Sequence, residues 1–203
     1  MKKEDRFPLI CLLIFAIVFL WAAISPNYRQ DWFMESILSL LALPVLILTY
    51  KKFRFSNISY ALILIFLILQ AIGAHYTYAE TPLGFWISNL LHFTRNHYDR
   101  IVHFFWGFLL YLPTLELCNK FLSIKSKNLL YYLLPASILI ALGAMFEVLE
   151  WLAAIVTSPQ LGTAYLGTQG DLWDTQKDLL MKVIGSTISA LFYFFKFSKV
   201  KNL

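Results

Sequence analysis

Three short stretches of the 203-residue chain bring together side chains that can move protons or hold cations. In "DRIVH", Asp99 and His103 stand four apart, so on a helix they share a face, with Arg100 beside them. "FEVLE" sets Glu147 and Glu150 three apart on one face, and "GDLWDTQKD" sets Asp171, Asp174 and Asp178 at i, i+3 and i+7. An imidazole among carboxylates can serve as a general acid or base, and the same donors suit Zn, Fe or Mn. Turned toward one another, the three faces would build one polar pocket from His103, Glu147, Glu150, Asp174 and Asp178, with Asp99 and Arg100 at its rim.

Each residue also has a plainer reading. Asp99, Asp171 and Asp174 fall at helix starts, where a carboxylate caps free N–H groups and the helix dipole favours it. Asp178 and Lys182 are four apart in the order that makes an intrahelical ion pair. A lone histidine on an apolar helix is commonly a hydrogen-bonded core residue. Glu147 and Glu150 resist such treatment, because they lie toward a helix C-terminus, where the dipole opposes negative charge. They need compensation from Arg95, Arg100, Lys177, Lys182, a protonated His103 or a bound cation. A divalent metal on His103, Glu147, Glu150 and Asp178 is permitted by the spacing and not specified by it, since neither H-E-x-x-H nor the Glu-x-x-His of di-iron bundles occurs. No other cofactor is expected.

The elements that must position these groups are membrane helices. Hydrophobic residues make up 59% of the chain and charged ones 14%, with a mean hydropathy of +0.65, outside the balance of a soluble domain. Six runs reach the roughly 20 apolar residues a span needs, at 7–25, 33–50, 57–75, 100–118, 129–151 and 177–197. The expected fold is therefore an all-α polytopic membrane bundle of six helices, one integral domain over 1–203, with "MKKEDR" leading into a retained first span and not a cleaved signal. Pro44, Pro113 and Pro135 fall inside spans and should kink or break them. Gly143, Gly185, Ala141, Ala144, Ser186 and Ser189 would let the fifth and sixth spans approach closely and bring Glu147 toward Asp178. "PLGFWISNLLHF" reads as a short interfacial helix, and 152–176 as a structured loop. Cys11 and Cys118 suggest neither a disulfide nor a thiol site.

Twelve of the 17 Lys and Arg residues lie on one side of this topology and five on the other, which puts both termini in the cytoplasm. The basic residues are topology signals, so the net charge of +5 does not point to nucleic acid. Nine of the 12 carboxylates and all four histidines fall on the outer side, where polar chemistry is expected.

The blocks "GAHYTYAETPLG", "HYDRIVHFFWGFLLYLP", "FEVLEW" and "LGTQGDLWDTQKDLL", in that order, resemble the YjdF family of bacterial inner-membrane proteins. A more distant likeness is to the VanZ-like family, whose pattern is an acid-basic-x-x-His stretch, then a late Glu, then an Asp and a Gly-containing start to the last span. Asp99, Arg100 and His103 match the first part, Glu147 the second, and Asp174 and Gly185 the third. Glu150 stands where that family usually has Gln, and Asp178 where it has Asn, so ligand identity does not carry over. The resemblance implies the bacterial cytoplasmic membrane and envelope lipids or cell-wall intermediates.

The expectation is a protein that binds a polar or cationic group of a lipid or envelope precursor in an outer-facing acidic pocket, with membrane lipids as its partners. One alternative is a metal-dependent membrane hydrolase or transferase on a lipid-linked substrate, although G-x-S-x-G and a Cys/His pair are absent. The other is a small proton-coupled transporter, against which the lack of an inverted repeat weighs. Oligomeric state is not legible in the sequence.

Overall fold

The structure is a computed structural model that describes residues 3–122, 128–157, 162 and 165–198. Its helices are α1 (Arg6–Ala23), α2 (Arg29–Thr49), α3 (Asn57–Tyr76), α4 (Pro82–Leu91), α5 (Tyr98–Leu109), α6 (Tyr111–Phe121), α7 (Leu129–Val156) and α8 (Asp174–Ser198). With α5 and α6 taken as one broken span, six helices among the described residues are long and apolar enough to cross a membrane. The chain is an all-α polytopic bundle.

Local chemistry explains the boundaries. Ser56 caps α3 by accepting from the Ser59 N–H at 3.1 Å, and Asn128 caps α7 by accepting from the Tyr131 N–H at 3.2 Å. The fourth span breaks at Leu110 because Pro113, lacking an N–H, cannot bond the Leu109 carbonyl one turn back. Pro44 and Pro135 lie within continuous helices. Glu80 and the histidine at the end of α3 hold the α1–α2 turn: Asn27 donates to Glu80 at 2.9 Å, and His75 Nδ1 lies 3.0 Å from the Ala22 carbonyl oxygen.

Packing falls into two groups of helices. α1 and α2 lie on α3 around Phe15, Phe55, Ile63 and Leu67. α5 to α8 form the second group, joined to α3 through Phe66, Tyr98, Val102 and Leu109. Tyr111, Tyr132, Leu139 and Ala190 fill the end remote from the acids. There Glu116 is structural, accepting from the Ser59 hydroxyl at 2.8 Å and the Ser56 N–H at 2.9 Å.

The most extensive helix pairing is α5 on α8, the fourth and sixth spans, and the small residues belong mainly to it. A Cβ on Gly185 would stand 2.1 Å from the Phe104 carbonyl oxygen, and one on Gly107 would stand 2.3 Å from that of Lys182. Ser189 donates to the Phe108 carbonyl at 2.9 Å. The expectation that Gly185, Ser186 and Ser189 serve the fifth and sixth spans is corrected accordingly. Of that set Gly143 faces α8, but against the Lys182 side chain.

Candidate functional site

Asp174, Asp178 and Lys182 descend one face of α8 at four-residue steps, so the last lies about 12 Å along the axis from the first. α5, pressed against that face, presents Asp99 and His103, and α7 presents Glu147 and Glu150 from the other side. The acids therefore meet in three tiers.

The top tier is an ion-pair network at the helix starts. Arg95 reaches Asp174 at 2.5 Å and Asp171 at 3.4 Å, and Arg100 reaches the same two at 2.9 and 2.6 Å. Lys177 adds a 2.7 Å contact to Asp171. The bonds from Lys177 and Arg100, with the Trp173 N–H, hold the Asp171 carboxyl well below the usual range. Asp171 thus is partly a cap, whereas Asp174 is a guanidinium acceptor. The network also ties down the 165–173 loop: Arg95 donates to the Thr168 carbonyl at 3.2 Å, and Asn96 and Gln169 exchange two hydrogen bonds at 3.0 and 2.9 Å. His97, at the start of α5, is pushed down in pKa by burial and by Arg100 and Arg95.

The bottom tier is a buried ion pair. Lys182 is 1% exposed, donates to Glu147 and gives a second bond to the Gly143 carbonyl at 3.2 Å. Gly143 leaves room for its stem, since a Cβ there would sit 2.6 Å from Lys182 Cδ. The expected Asp178–Lys182 pair does not form. Both residues are buried, and the lysine turns to the carboxylate across the helix interface in preference to its own helix neighbour.

Between these tiers lies a cavity of about 40 Å³, lined by Asp99, His103, Glu147, Glu150, Asp174 and Asp178 among others. His103 Nε2 is 3.1 Å from Asp99 and 3.8 Å from Glu147. Asp99 lies in the first turn of α5, where the helix dipole favours a carboxylate, and its side chain turns to His103. Asp178 is 3% exposed, and its Oδ1 has no hydrogen-bond partner; Arg100 Nε approaches only to 3.7 Å. Of the sequence-predicted residues, Arg100 alone does not line the cavity, being held by Asp171 and Asp174.

Further residues line it that sequence reasoning did not single out, among them Glu35 from α2, Gln70 from α3, Tyr78 and Tyr165. Glu35 and Gln70 were visible as lone polar residues inside apolar spans, a signal of inward orientation. Among the described residues, neither Glu35 nor Glu150 has a hydrogen bond or a cation within 4.0 Å. Burial raises the Tyr165 hydroxyl pKa, so it remains a neutral donor.

Acidic side chains outnumber basic ones around the site. Seven carboxylates (Glu35, Asp99, Glu147, Glu150, Asp171, Asp174 and Asp178) face four permanent cations (Arg95, Arg100, Lys177 and Lys182). Arg95, Lys177 and Lys182 are committed to the top and bottom tiers and Arg100 bridges from the top tier toward Asp178, so Glu35 and Glu150, the carboxyls without a cation in contact among the described residues, lie in the middle one.

The family model described as "Predicted membrane protein (DUF2238)" matches residues 7–199. The chain is also 30% identical over 180 residues to a protein of Escherichia coli (strain K12) named "Inner membrane protein YjdF", covering 89% of this chain and 85% of that one. No solved structure matches. The chain belongs to the DUF2238 family of membrane proteins, in agreement with the YjdF resemblance; the matches do not extend to the VanZ-like likeness.

Proposed function

We propose that this protein binds the cationic end of a membrane lipid or envelope precursor in the acidic cavity, which opens on the outer face of the bacterial cytoplasmic membrane. The Lys and Arg asymmetry supports that orientation, with both termini in the cytoplasm. The name of the Escherichia coli relative supports the membrane assigned.

The observation that carries the reading is the middle tier, where Glu35, Glu150 and Asp178 line one cavity without a hydrogen-bonding cation of their own. Carboxylates so placed are costly in a membrane unless something pairs with them. A cavity of about 40 Å³ admits an ammonium group and excludes a whole head group, so the ligand would insert its charged tip. Among the described residues α2 makes no extensive contact with α7, the two helices that carry Glu35 and Glu150, and the proposed route of entry from the bilayer runs between them.

Thermal unfolding in detergent with added phosphatidylethanolamine or phosphatidylglycerol tests this. The amine lipid should raise the wild-type midpoint by several degrees, as saturating ligand does, and the Glu35→Gln/Glu150→Gln variant should lose that rise. Equal shifts with both lipids, or an undiminished shift in the variant, would remove the proposal.

A further inference from the structure

We infer that the same cavity carries a divalent-metal subsite formed by Asp99, His103 and Asp178. The inference rests on the reading of the cavity as cation-binding and names a distinct occupant for its α5–α8 side. One ligand atom from each residue lies within 4.8 Å of the other two. Donors that share a tetrahedral ion at about 2.0–2.2 Å stand about 3.3–3.6 Å apart, so a small contraction brings all three onto one centre. His103 Nε2 and Asp99 are already 3.1 Å apart.

A second observation points to the ligand independently of the clustering. Asp178 is 97% buried, lines the cavity, and leaves Oδ1 unpartnered. A buried carboxylate oxygen without a donor is a rarity that calls for an explanation, and an ion is one. The neighbouring cations give that oxygen no hydrogen bond: Arg100 Nε, itself without a hydrogen-bond partner, stops 3.7 Å away. Arg100 spends its terminal nitrogen on Asp171 and Asp174, and Lys182 spends its donors on Glu147 and the Gly143 carbonyl.

Donor chemistry narrows the ion. One imidazole and two carboxylates, with no sulfur, suit Zn, Mn or Fe rather than copper(I) or a cluster. Glu147, 3.8 Å from His103 Nε2, stands ready as a further oxygen ligand. Asp99 and His103 come one turn apart from α5, and Asp178 comes from α8. The tight α5–α8 pairing through Gly107 and Gly185 therefore sets the span of the site, as it would not if the donors lay on loops.

The test is equilibrium dialysis of chelator-washed, detergent-purified protein against Zn²⁺ and Mn²⁺ separately, with metal content read by elemental analysis. Wild type should take up close to one ion per chain. His103→Gln and Asp178→Asn should each bind at least tenfold more weakly, while Glu80→Gln, in an acid bonded to Asn27 away from the cavity, should bind as wild type does. Pulsed electron paramagnetic resonance of Mn²⁺ on wild type, which needs no variant to fold, should show coupling to an imidazole nitrogen. Substoichiometric uptake by wild type, no nitrogen coupling, or binding within twofold in both ligand variants would overturn the inference. Phosphatidylethanolamine stabilisation measured on the same samples separates the two claims: its persistence without metal uptake overturns the metal subsite alone, and the loss of both overturns the cavity reading itself.

Discussion

Lys182 offers the sharpest test of how the α7–α8 interface is held. Its ammonium is almost fully buried and gives one bond to Glu147 and one, at 3.2 Å, to the Gly143 carbonyl. Removing one partner of a buried pair typically costs about 3–5 kcal/mol, because the other charge is left uncompensated. At roughly 2–4 °C per kcal/mol for a chain of this length, Lys182→Met should lower the unfolding midpoint in detergent by about 6–20 °C. Replacing both partners with apolar groups of similar size is frequently neutral, so Lys182→Met/Glu147→Leu should recover most of the loss. The assay is the full double-mutant cycle by thermal unfolding, with helicity checked by circular dichroism. A double variant as unstable as the sum of the two singles would refute the pairing, as would a Lys182→Met midpoint within 2 °C of wild type.

Two other perturbations follow from the helix contacts and the ion-pair network. Gly185→Ala drives a Cβ into backbone, 2.1 Å from the Phe104 carbonyl oxygen, and should cost about 1–3 kcal/mol by overpacking. Gly143→Ala clashes with the Lys182 stem and not with backbone, so its cost should vanish in a Lys182→Ala background, whereas that of Gly185→Ala should persist; midpoints of the three single and two double variants decide it. Asp171, whose carboxyl is held low by Lys177 and Arg100, contributes stability that is present in full above its unfolded value of about 3.9. That contribution is lost as pH falls through the lower folded value. Hydrogen exchange of 165–173 should therefore rise below about pH 4 in wild type relative to Asp171→Asn, which lacks the titrating group.

The bilayer makes the fold legible, since every span must be a helix of about 20 apolar residues, and six such runs announce themselves. The ladder on α8 and the Asp99–His103 pair were legible too, because i, i+4 spacing fixes a shared face whatever the partner. Partner choice was not. The Asp178–Lys182 expectation applied a rule for exposed helices to a buried lysine, whose stem instead follows the groove opened by Gly143. Likewise the small residues of α8 signalled close approach without naming α5 as the neighbour. Glu35 and Gln70 enter the cavity from helices far away in sequence, through the packing of α2 on α3 and of α3 on α5, which no local spacing encodes.

The three tiers differ in what stability alone can account for. In the top and bottom tiers each carboxylate meets a cation, and a structural purpose suffices. Glu35 and Glu150 in the middle tier have no such partner, and Gln at either position would fill the same volume without a charge to desolvate. Groups that burden the fold persist where function requires them. Glu35→Gln and Glu150→Gln should therefore leave the ligand-free midpoint unchanged or raise it by about 2–8 °C, the equivalent of roughly 1–2 kcal/mol, while abolishing the response to phosphatidylethanolamine. If either variant instead melts several degrees below wild type in the absence of any ligand, the carboxylates hold the bundle together, and the excess charge of the cavity is no longer an argument for a cation.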